Sequence, residues 1–99
     1  MTKRTNLEIS DVLIHPVTKT HKGLVAYISF ILNNSIKIND VQILTRPNQS
    51  GFRLLYPLKE ISKGHYISIV YPINKETGEQ LETLLLNEYK NYLAKFGVN

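Results

Sequence analysis

His15, His21 and His65 are the only imidazoles in this 99-residue chain, and a metal or proton-transfer site would draw on them first. None is spaced as His-x-x-x-His, and no carboxylate motif accompanies them. Ordinary polar residues in loops and at strand ends account for them better. Glu8 with Asp11, and Glu79 with Glu82, could be read as acid–base pairs. A solvated strand face and a helix surface explain those carboxylates better. No nucleophile elbow, phosphate loop or dinucleotide fingerprint occurs. The chain has no cysteine. That removes a disulfide framework, a thiolate zinc site and a thiol nucleophile together. The expectation is a protein that is not an enzyme, with no catalytic residues, no cofactor and no metal.

The remaining chemistry is cationic and aromatic. Arg46 and Arg53 border one loop, and Lys59 and Lys63 lie in the next, with Lys19 and Lys22 flanking them. Tyr56, Tyr66 and Tyr71 stand near these cations at strand ends. Tyrosines on a sheet can stack bases, while lysine-rich loops contact phosphates and carry little base-reading geometry. The six cations are therefore the candidate nucleic-acid-binding residues. The net charge of +4 is uneven: residues 1–73 hold nine Lys/Arg against four Asp/Glu, and residues 74–99 hold three against four. A mildly basic body favours an anionic partner, DNA or RNA first. Plain solubility explains the same charge.

The elements that must position these residues read as strands followed by one helix. Leu7, Ile9, Val12 and Ile14 alternate with a change of step at Ser10–Asp11, which suggests a bulge. His15-Pro16 is expected to end that strand, leaving Val17–Gly23 as a loop. Leu24–Leu32 is the clearest strand, with Leu24, Ala26, Ile28, Phe30 and Leu32 on one face. Its other face is apolar too, which places it in mid-sheet or in a dimer contact. Asn33-Asn34-Ser35 makes a tight hairpin. Ile36–Leu44 returns with a second candidate bulge at Asn39-Asp40, and Arg46-Pro47-Asn48 marks a turn. Gly51–Pro57 and His65–Tyr71 are the fourth and fifth strands, with Lys59–Gly64 as a polar connection.

Residues 74–96 form the helix, capped by Thr77-Gly78-Glu79-Gln80 at its start and Gly97 at its end. Leu81, Leu84, Leu85, Tyr89, Tyr92 and Phe96 make its apolar stripe, so the helix should lie across one face of the sheet. The fold class is α+β: one domain over residues 1–99, an antiparallel sheet of about five strands and one C-terminal helix. Residues 1–6 are expected to be flexible. There is no signal-peptide h-region and no apolar run approaching ~18 residues. A cytoplasmic protein with no membrane partner is the expectation.

Four segments occur in order: Asn39-Asp40-Val41-Gln42-Ile43-Leu44, Gly51–Pro57 (GFRLLYP), Tyr71-Pro72-Ile73-Asn74 and Leu86-Asn87-Glu88-Tyr89. Together they resemble the SpoVG family, the stage V sporulation protein G or septation regulators of bacteria. The likeness covers roughly residues 7–92. It implies a small cytoplasmic homodimer built by strand pairing, which binds DNA and RNA and regulates expression, sporulation and septation during cell division. Several positions depart from the family pattern. Glu60 and Gln42 stand where the family carries basic residues, Gly78 and Gln80 replace basic positions early in the helix, and Tyr71 replaces a histidine. The alternative implied by those losses is an interaction or scaffold dimer that no longer binds nucleic acid.

Overall fold

The computed structural model describes residues 7–47 and 50–96, with the side chains of Thr20 and His21 left aside. The element order is β1 (Ile9–His21), β2 (Leu24–Leu32), β3 (Ile36–Thr45), β4 (Phe52–Leu55), β5 (Leu58–Ser62), β6 (His65–Ser68) and α1 (Lys75–Phe96). The first four strands form an antiparallel sheet in the order β1-β2-β3-β4, and β5 and β6 form a separate two-stranded hairpin. The α+β expectation holds, but the sheet is divided into four strands plus two. Residues 1–6, Asn48 and the proposed cap Gly97 lie outside the described residues.

Alternation builds the core. Ala26, Ile28 and Phe30 are fully buried on one face of β2, as their spacing predicts. They meet Val41, Ile43 and Ile38 from β3 and Leu81, Leu85 and Tyr89 from α1. Tyr89 also makes an edge-on ring contact with Phe52 of β4, 5.1 Å between centroids. Both helix tyrosines are therefore accounted for by packing, with Tyr92 stacked beside Tyr89 at 6.4 Å. Phe96, the last of the stripe, remains exposed.

Both expected bulges are present. The β1–β2 register shifts between Ser10 and Leu13, and the β2–β3 register shifts between Ile28 and Phe30, where β3 carries the extra residue. Asp11 and Asp40 have positive φ, 49° and 62°, at those two places. Aspartate tolerates this left-handed backbone better than the β-branched residues around it. The β3 bulge is held by the Asp40 N–H, which donates to the buried Ser29 hydroxyl at 3.0 Å. In the β2–β3 hairpin Asn33 and Asn34 both take positive φ, as the Asn-Asn pair predicts. Asn33 also binds the start of the chain: its N–H donates to the Glu8 carbonyl and its Oδ1 accepts the Glu8 N–H, both at 2.7 Å.

Three sequence expectations are corrected. Pro16 does not end β1, which continues to His21. Because β1 is an edge strand, a residue lacking an N–H need not remove a ladder bond. The polar connection Lys59–Gly64 is instead mostly strand β5 and its turn, with Lys63 and Gly64 (φ 79°) reversing the chain. The helix cap is Asn74, not Thr77: Asn74 Oδ1 accepts the Thr77 N–H at 2.8 Å, and α1 begins at Lys75. Asn74 stands three residues ahead of Thr77 and reaches the free N–H groups first.

Candidate nucleic-acid interface

The six candidate cations fall into two groups. The first gathers at one end of the four-stranded sheet. Lys22 and Gly23 make the β1–β2 turn, and the Gly23 carbonyl accepts the Thr45 N–H at 2.9 Å. A side chain at Gly23 would meet Thr45 Oγ1 at 3.0 Å, and its φ is 84°, so this stitch requires glycine. The Arg46 N–H in turn donates to the Gly51 carbonyl at 3.2 Å. Leu24, Leu44 and Arg53 stand in register across β2, β3 and β4. Lys22, Arg46 and Arg53 are thus held at one end by backbone bonds, and Lys19 lies on the final stretch of β1 beside them. Lys19, Lys22 and Arg53 are exposed, while Arg46 is half-buried.

The second group is Lys59 and Lys63 on the β5–β6 hairpin. Lys59 stands opposite Ile67, and Lys63 occupies the turn. The hairpin leaves from the far end of β4, so one chain does not bring the two groups together. Glu60 serves the turn, its Oε2 accepting the Gly64 N–H at 3.2 Å. The carboxylate at this position therefore has a local structural use.

Two features weaken the first group as a field. Arg46 Nη2 lies 3.5 Å from Glu82 Oε2 on the helix. Tyr56, expected among the exposed aromatics, is turned inward, and its hydroxyl is buried with no hydrogen-bond partner. Burial, and secondarily the Glu82 carboxylate, push its pKa up to about 12. Tyr66 and Tyr71 do stand exposed. Among the described residues no cluster of three His, Asp or Glu is placed to hold a metal. No helix there is long and apolar enough to cross a membrane.

The second apolar face expected on β2 belongs to the open face of the sheet. The helix covers the Ala26–Ile28–Phe30 side, and on the other side His15, Tyr27, Gln42 and Leu55 stand in one row across four strands. Leu13 and Ile31 lie on the same side. The alternation of Val25, Tyr27, Ser29 and Ile31 signalled a second apolar face, but not which strands would flank it.

A family model for SpoVG matches residues 7–91. The chain belongs to the SpoVG family. Proteins named "Putative septation protein SpoVG" are similar along nearly their whole lengths. That of Anaeromyxobacter sp. (strain K) is 30% identical over 91 residues, covering 92% of this chain and 86% of the relative. That of Myxococcus xanthus is 30% identical over 87 residues, covering 88% and 84%. That of Acetivibrio thermocellus is 27% identical over 88 residues, covering 89% and 90%. Membership in the SpoVG family matches the order of the four sequence segments, which lie on β3, on β4 with its flanks, before α1 and on α1.

Proposed function

We propose that this SpoVG-family chain is a nucleic-acid-binding regulator of gene expression or septation that acts as a cytoplasmic homodimer. The observation that carries the reading is the gathering of Lys19, Lys22, Arg46 and Arg53 at one end of the sheet, with Lys59 and Lys63 exposed on the hairpin. Most of these side chains are solvated, so they contact phosphates and bind with little sequence preference. The dimer is supported by the hairpin. A two-stranded hairpin alone is marginal in water, and this one carries large apolar side chains in the open.

The test is a titration against duplex DNA, single-stranded DNA and RNA at two salt concentrations. With about three to four phosphates neutralised per chain, the log–log salt slope is roughly −3 per subunit. Lys59→Ala with Lys63→Ala flattens it by about 1–2. An unchanged slope, or no binding by the parent at low salt, favours the second reading, a scaffold dimer. One observation supports that alternative: the Arg46 guanidinium is already paired with Glu82.

A further inference from the structure

Beside the basic end of the sheet, α1 and the segment after β3 frame a cleft of about 450 Å³, within the range that small ligands use. Glu79, Glu82, Leu86, Asn87 and Lys90 line it from the helix, at the three- and four-residue steps that share one face, and Arg46 lines it from the other side. Two carboxylates and two cations balance here, so the cleft does not draw a phosphate as the solvated cations do. It suits a neutral ligand rich in hydrogen-bonding groups. Glu79 has Lys75 beside it at 4.0 Å, which leaves Glu82 as the acceptor next to Arg46.

The Arg46–Glu82 contact is loose. Nη2 and Oε2 are 3.5 Å apart, at the outer limit of a hydrogen bond, and 39% and 36% of the two side chains stay exposed. A donor fork and a two-oxygen acceptor therefore stand side by side with bonding capacity to spare. Their complement is a flat ring edge that sets an acceptor next to donors. Among the nucleobases only guanine places its O6 acceptor beside N–H donors on two neighbouring nitrogens, N1 and N2, which a carboxylate takes with both oxygens. Adenine, cytosine and uracil each offer that carboxylate one donor nitrogen. Leu86 supplies an apolar wall for the ring. Lys90, about 12 Å along the helix from Glu82, is left for the sugar–phosphate.

We infer that this cleft takes one unpaired guanine base, with the Glu82 carboxylate on N1–H and N2–H and the Arg46 guanidinium on O6. This rests on the nucleic-acid reading above and adds a base preference to it. The base is unpaired because a duplex spends the same edge on cytosine. The basic end supplies the approach: phosphates held by Lys22 and Arg53 keep a strand beside Arg46, which belongs to both.

The test is fluorescence anisotropy with the full chain and short uridine RNAs that carry one central guanine, adenine, cytosine or inosine. The guanine strand should bind about tenfold more tightly than the all-uridine strand, the discrimination expected of one good bidentate contact. Inosine lacks the N2 amino group and should lose much of that gain. Glu82→Gln should bring the guanine and uridine strands level, because its amide N–H groups face the donors of guanine. Circular dichroism checks that this variant keeps its fold. Equal binding of all strands by the parent, or an unchanged guanine preference in Glu82→Gln, overturns the cleft assignment and leaves the nucleic-acid reading standing. If no strand binds at low salt, that reading falls, and guanosine monophosphate decides the cleft. In an NMR titration of the parent it should shift the amides of Glu82, Leu86 and Asn87 more than adenosine monophosphate or inorganic phosphate does. No shift, or shifts equal to those of the two controls, overturns the proposal.

Discussion

The tripeptide Tyr-Ile-Ser occurs twice, both times within a strand: residues 27–29 in β2 and residues 66–68 in β6. Ile28 is fully buried and Ser29 nearly so, whereas Ile67 is 48% exposed. The local pattern is the same, and the strand forms in both places. Burial is decided by what lies beside the strand. β2 has a strand on each side and a helix beneath, while β6 has only β5. In this chain alternation specifies the strand, and long-range neighbours specify its energy.

The largest effects should separate these two regions. Ile28→Ala and Leu85→Ala each remove a fully buried side chain from the shared core and should cost about 2–5 kcal/mol. Ile67→Ala should cost only a few tenths of a kcal/mol in dilute protein, as at other exposed sites. Urea unfolding at several protein concentrations reads both. An Ile67→Ala loss as large as that of Ile28→Ala at the lowest concentration would erase the distinction.

Next in size is the bulge that shapes the packed sheet. Ser29→Ala leaves the Asp40 N–H without its partner and should cost about 1–3 kcal/mol. Asp40→Val forces a β-branched residue into positive φ and should cost about 1–2 kcal/mol. Asp40→Gly should be close to neutral because glycine takes that backbone freely. If valine and glycine behave alike in thermal unfolding, the bulge relaxes and does not brace the sheet.

Much of this was legible in the residues. The change of step at Ser10–Asp11 and at Asn39-Asp40 located both bulges, and the spacing of Leu81, Leu85 and Tyr89 located the face of the helix that packs. Two things were not legible. Pro16 reads as a strand end, and its tolerance comes from β1 lying at the edge, which is a property of the assembled sheet. Lys59–Gly64 reads as a loop because its charges hide a short alternation. Leu58 shows as a hairpin residue only once Ser68 pairs with it, and Ile61 falls at the irregularity between Glu60 and Ser62. Among the site residues, the sequence named the cations but not the Arg46–Glu82 contact, since nothing in the spacing 36 residues apart announces it.

Tyr56 supplies a pH test of the packed region. Its pKa is pushed up to about 12 in the folded protein, above the ordinary tyrosine value of 10.0, chiefly by burial. A raised value means the folded state holds the proton more tightly. The associated stability is fully present below pH 10 and is lost as pH rises from about 10 through about 12. Burial, and secondarily Tyr92, also raises the Tyr89 pKa. Absorbance titration of the phenolates should therefore show late ionisation, and Tyr56→Phe should remove the latest part of it. An unchanged late phase in Tyr56→Phe would mean that Tyr56 is not the buried phenol.

The smallest effect concerns cations already engaged against cations left free. Arg46 and Glu82 approach at 3.5 Å with more than a third of each side chain exposed, so the pair contributes only about 0–1 kcal/mol. Glu82→Gln should therefore leave the unfolding midpoint nearly unchanged. It should release a guanidinium toward phosphate, steepening the salt slope of nucleic-acid binding by less than about 1. Arg46→Ala in the parent should change that slope little, whereas Arg53→Ala, which removes a solvated cation from β4, should flatten it. The contrast depends on the ion pair persisting when phosphate competes for it. Equal flattening by Arg46→Ala and Arg53→Ala would mean that Arg46 leaves Glu82 on binding. The packed end of the sheet would then give up its internal contact to the partner, and the hairpin lysines would no longer be distinguished by being free.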